Sequence, residues 1–134
     1  MPHVPLKPLL TAAAIYLALI AFGLIFIPRY FGIGAVPPDA PPALIAFLRI
    51  FAGPCLGVAV LDWRARSRAV PALGEIVLAN IVGFGCVTLM DVWGVASGEA
   101  RPIAKAFLGL HLLFTLAFVA AGRAIPRQTR EDSQ

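Results

Sequence analysis

Charge is scarce in this chain: only 13% of its 134 residues are charged and 60% are hydrophobic, where soluble domains carry about 25% charge. Eleven basic and seven acidic side chains cannot cover the surface of a water-solvated domain of this size. That shortage excludes an ordinary soluble fold and makes lipid the expected solvent. Cysteine is nearly absent. Cys55 and Cys86 lie inside apolar runs at different expected depths, which excludes a disulfide framework and suggests two thiols acting as small hydrophobes. Histidine is rarer than a metal site needs. His3 and His111 fall on opposite sides of the expected membrane, so neither a multi-histidine metal site nor bis-histidine haem ligation is expected within one chain. A glycine-rich phosphate loop, GxSxG, HExxH and CxxC are all missing. No catalytic constellation is visible, and no enzyme is expected.

What is there is a series of four apolar stretches, each near the roughly 20 residues that a helix needs to cross hydrocarbon. They run over about 9–28, 42–62, 71–93 and 102–122. Pro42, Pro71 and Pro102 open three of them, where a missing N–H leaves no bond unmade. The first stretch follows Lys7 but is too long for an ordinary signal-peptide core, so it reads as a retained span. The expected fold is all-α: an integral membrane antiparallel four-helix bundle, one transmembrane domain over 9–122. A short amino terminus (1–8) precedes it and a charged tail (123–134) follows it.

The distribution of basic residues sets the orientation. Lys7, Arg64, Arg66, Arg68, Arg123, Arg127 and Arg130 fall on one side; the other side has Arg29 and Arg101 in its loops, with Lys105 just inside the fourth span. Cytoplasmic loops carry the excess of Lys and Arg, so both termini are expected in the cytoplasm, with the chain a multi-pass protein of a cell inner membrane. The net charge of +4 reflects these membrane flanks rather than nucleic-acid binding. Tyr30, Trp63 and Trp93 fall at predicted span ends, where amphipathic rings prefer to sit.

Four polar residues inside the spans are the candidate binding residues: Arg49, Asn80, Asp91 and His111. Arg49 lies roughly 10 Å below the outer boundary at 1.5 Å rise per residue, where an unpartnered charge is costly. It shares a helix face with Gly53 and Gly57, a GxxxG pattern that admits close helix approach, and is expected to face protein. Asp91 is its candidate partner, either as a structural ion pair or as part of an anion or headgroup site. Asn80, Phe84, Val87 and Asp91 share one face of the third span, and Ala79 and Gly83 offer a second small-residue contact beside it. His111 could relay protons, ligate haem or bond a neighbouring helix; the last, or simple packing, is the expectation. Asn80 is expected to act as a polar contact between helices, and Glu75 as an interfacial charge near a helix N-terminus.

The sequence Leu48–Arg66 (LRIFAGPCLGVAVLDWRAR), an early span ending in Gly23–Phe26–Pro28, and Leu108–Phe118 (LGLHLLFTLAF) together resemble a family. They are similar to uncharacterised bacterial four-span membrane proteins of the DUF4345 and DoxX-like kind, over about residues 9–122. The resemblance implies an up-down four-helix bundle in a bacterial inner membrane and supplies no established chemistry. Three functional classes remain open. One is a non-enzymatic subunit or homo-oligomer packing through Gly53 and Gly57. The second is a small transporter or channel with an outward-facing polar pocket. The third is a redox accessory subunit holding quinone or haem near His111. No cofactor and no metal is expected; the lipid bilayer, and a membrane-protein partner or further copies of the chain, are the expected partners.

Overall fold

The computed structural model describes residues 5–31, 34–68 and 73–125. Its helices are α1 (Leu6–Phe26), α2 (Pro28–Phe31), α3 (Pro42–Ala65), α4 (Gly74–Ser97) and α5 (Ala104–Ala124). The four long helices are apolar enough to cross a membrane and have 21 or 24 residues each. That is roughly 32–36 Å at 1.5 Å per residue, against a hydrocarbon thickness of about 30 Å. The protein is an all-α bundle and a small multi-pass membrane protein. The amino- and carboxyl-terminal segments outside the described residues include His3 and most of the charged tail; the predicted helix start at Pro71 also lies outside them.

The predicted spans fall on α1, α3, α4 and α5, with shifted ends. The largest shift is at α4, which runs past Trp93 to Ser97. The stop is set by Gly98, whose φ of 76° places it in the left-handed region that ends a helix. Helix end and apolar end are therefore different signals. After α1, the backbone breaks at Ile27 and the single turn of α2 folds back over the last turn of α1. A Cβ at Gly23 would overlap the ring of Phe31, so only glycine admits this return. Arg29 then ties the following loop down, donating to the carbonyls of Pro38 at 2.7 Å and Ala40 at 3.1 Å.

Two tightly packed pairs build the bundle, α1 with α3 and α4 with α5, and they touch one another more lightly. The α1–α3 seam is made of alanine. Ile45, Ala52 and Ala59 are buried at a spacing of seven, with Leu48 and Cys55 between them and Asp62 three residues beyond; α1 answers with Ala21 and Leu24. Small side chains let helix backbones approach, which is the main source of attraction when lipid is as apolar as the partner. The expected packing on Gly53, Gly57, Ala79 and Gly83 is therefore corrected within the chain: all four are exposed. Neither Gly53, Gly57 nor Gly83 has an atom within 4 Å of a built Cβ. The alanine seam rotates α3 so that its glycines point outward.

Between α4 and α5 the contact is also close. A Cβ at Gly122 would sit 3.2 Å from Val77 and 3.4 Å from Ile81. Phe84 stacks on Phe114 with centroids 4.6 Å apart, and Phe118 is fully buried beside them. Leu10 and Ala13 of α1 join this aromatic core, so α1 is the helix that connects the two pairs.

Candidate functional site

Polar residues from α1, α4 and α5 converge inside the bundle. His111 projects from the second turn of α5 with both ring nitrogens engaged: Nδ1 meets Asp91 Oδ2 of α4 at 2.5 Å and Nε2 meets the Tyr16 hydroxyl of α1 at 2.5 Å. The Asp91 oxygen accepts from Nδ1–H, and the Tyr16 hydroxyl pairs with Nε2. Tyr16 is held edge-on to the imidazole and packs near Phe84 and Phe114. One turn further along α5, Thr115 donates to the His111 carbonyl at 2.8 Å and also meets Thr88 of α4 at 3.1 Å. These bonds fix the imidazole from three helices.

Beside this network lies a cavity of about 490 Å³. Asn80, Phe84, Val87 and Asp91 all line it, as the shared helix face predicts, together with Tyr16 and His111. Arg101, half-buried in the loop before α5, lines its end and lies 5.7 Å from the Phe107 ring centroid. Gly34, at a φ of 79°, brings the α2–α3 loop against the stem of Arg101. Pro54 and Val58 of α3 and Ala79, Gly83 and Val87 of α4 also line the cavity, and these five are exposed. The cavity is thus a cleft that opens sideways between α3 and α4, because the two helix pairs diverge there. Its mouth is apolar and its inner wall is the Tyr16–His111–Asp91 network.

The four candidate residues separate in the structure. Asn80, Asp91 and His111 all line the cavity, Asp91 bonded to His111 and Asn80 apart from them on Asp62; Arg49 is not in the lining. Arg49 is exposed and its Nε donates to the Ile25 carbonyl, 3.2 Å away near the end of α1. The expected Arg49–Asp91 pair is therefore replaced by His111–Asp91, while Arg49, though exposed, does meet protein through α1. A free carbonyl at the end of α1 serves the guanidinium instead, because the last helix carbonyls have no intrahelical partner.

Three residues of the region were not singled out from the sequence. Tyr16 carried a readable signal: a phenol at the middle of a span, away from the interfacial belts, needs a partner. Asp62 sits next to Trp63 and resembles an interfacial carboxylate, yet it is 0% exposed and accepts from Asn80 Nδ2 at 2.7 Å. Arg101 read as a loop charge. Comparison with protein-family models, curated proteins and solved structures gave no match.

Replacing His111 with leucine is expected to lower stability by about 1.5–3 kcal/mol, the range for hydrogen bonds to a charged group. Interhelical bonds in membranes average nearer 0.6 kcal/mol, but here one side chain serves two helices and a carboxylate. Equilibrium unfolding in bicelles measures this. In the His111→Leu background, Tyr16→Phe should cost almost nothing further, and a strictly additive double-mutant cycle would dissolve the network.

Proposed function

We propose that this membrane protein binds an amphipathic small molecule within the bilayer, as a carrier or binding subunit rather than an enzyme. One observation carries the reading: an apolar cleft opens sideways between α3 and α4 and ends on Tyr16, His111, Asp91 and Arg101. Its volume of about 490 Å³ lies within the roughly 300–1,000 Å³ of small-molecule sites, which combine apolar walls with a few placed polar groups. A ligand dissolved in lipid reaches the mouth without crossing water. Its apolar body replaces lipid against Phe51, Val58 and Val87, and its head meets hydroxyl, carboxylate and guanidinium groups. Long-chain carboxylic acids and quinones both fit this chemistry.

The haem alternative fits less well. Both His111 nitrogens already hold hydrogen bonds, and an axial ligand would have to give one up. For orientation, the excess of basic residues at the end with the termini supports a cytoplasmic location for that end. The Arg101 end of the cleft then faces outward, and the inner membrane of a bacterium is the setting we propose.

Native mass spectrometry from nanodiscs tests the binding reading, with palmitate and a short-tailed benzoquinone as the two added probes. A saturable one-to-one adduct with either supports it. If neither probe binds and no small molecule is carried through purification, the cleft is only a lipid-filled gap and the reading fails.

Association of two copies is a second reading, favoured by the open space around Gly53 and Gly57 on an exposed face of α3. GxxxG faces left open in this way admit a second backbone. Gly57→Leu should then convert a dimer in nanodiscs to a monomer. A wild-type protein already monomeric at every protein-to-lipid ratio removes this reading.

A further inference from the structure

At the end of the bundle that carries the termini, a second polar pair is buried with too few protons. Asn80 Nδ2 donates to Asp62 Oδ1 at 2.7 Å and to the Ile76 carbonyl at 3.0 Å. Asp62 is 0% exposed and Asn80 3%. Their other oxygens, Asp62 Oδ2 and Asn80 Oδ1, are both buried and have no hydrogen-bond partner. An ionised carboxylate only accepts, and so does an amide oxygen. Two orphaned acceptors on adjacent groups in an apolar core are expensive, and an unpaired buried charge more so.

The charged groups at this end, among the described residues, are Lys7 of α1, Arg64 in the last turn of α3, Arg66 and Arg68 just after it, Glu75 of α4 and Arg123 of α5. Five of the six are exposed. The sixth, Arg66, is committed to Trp63: its Nε donates to that carbonyl at 2.8 Å and its guanidinium lies 3.4 Å over the ring. Three residues along each helix, on the same faces as Asp62 and Asn80, the buried neighbours Ala65 and Val77 are apolar.

We propose that Asp62 is a proton-binding site, a carboxylic acid whose O–H is returned to Asn80. One proton added to Oδ2 turns an orphaned acceptor into a donor and gives Asn80 Oδ1 its partner. The two side chains then form a closed acid–amide pair with both bonds reciprocal, and no buried charge remains. Sodium would need several more oxygen ligands than this pair offers. Asn80 also lines the cleft, so this proton lies one hydrogen bond from the cavity, at the opposite end from His111. The site stands whether or not the cleft binds a ligand.

Infrared spectroscopy of the protein in lipid bilayers tests it. At neutral pH the wild type should show the high-frequency carbonyl band of a protonated carboxylic acid, shifted slightly in D2O. Asp62→Asn, which keeps the shape, should remove that band, and Asp91→Asn should leave it. Because a variant can fail to fold, the wild type labelled with 13C at aspartate Cγ gives an independent reading. Its solid-state NMR spectrum should contain one aspartate carboxyl in the protonated range at neutral pH, unmoved by adding sodium. A fully ionised aspartate spectrum, a band that survives in Asp62→Asn, or a signal displaced by sodium overturns the assignment. The first would mean that water or a cation, not a proton, satisfies the oxygens.

Discussion

Gly83→Leu is expected to leave the protein folded and to weaken binding of the lipophilic probe by roughly a hundredfold or more, about 2.8 kcal/mol. Gly83 is a helical position with no neighbour within 4 Å of a built Cβ, and it lines the cleft. A leucine there meets no protein atom that must move. It also removes a helix-interior glycine, worth a stabilisation of roughly 0.5–1 kcal/mol. The four added carbons instead occupy the mouth through which the ligand body would pass. Gly109→Leu is the matched control, since Gly109 is also exposed, also without neighbours, and outside the cavity lining. Native mass spectrometry with palmitate and the benzoquinone should show adducts for wild type and Gly109→Leu only. Equal loss in both variants, or retention in both, would remove the cleft as the binding site.

Phe118→Ala is expected to destabilise the bundle by about 2–4 kcal/mol, the largest stability effect of a single truncation here. Phe118 is 0% exposed and its ring lies 5.9 Å from that of Phe84. In soluble cores a buried Phe→Ala costs about 3–5 kcal/mol, from a transfer part and a cavity part. In lipid the transfer part is small, because the chain leaves one apolar medium for another. The lost dispersion contacts remain, which lowers the expected cost without abolishing it. Leu113→Ala, on a side chain that is 64% exposed, should stay within about 0.5 kcal/mol. Steric trapping or equilibrium unfolding in bicelles measures both. Similar values for the two would mean that the Phe84–Phe114–Phe118 stack does not hold α4 to α5.

The number and order of the spans were legible from uninterrupted apolar length, and so was the shared face of Asn80, Phe84, Val87 and Asp91, now lining one cavity. That face needs only the 3.6-residue period of one helix. The partner of Asp91 needs the rotation of two helices, and there the reasoning from depth named Arg49 where the structure has His111. Depth alone admits both. Likewise Gly53 and Gly57 have a packing pattern, but Ala52 and Ala59 on the neighbouring face do the packing. Two small-residue stripes on one helix compete, and sequence does not rank them. Asp62 was hidden by its position beside Trp63, where a carboxylate normally reaches water.

The sequence by itself determined the solvent, the four crossings and the inventory of polar groups that must be accommodated away from water. Tertiary structure decided which face of each helix turns inward, hence which polar groups meet and where the cleft opens. The physical reason lies in the bilayer. In water, burial marks the inner face of a helix with apolar residues; in lipid, both faces are apolar and the inner one is distinguished only by how closely it packs.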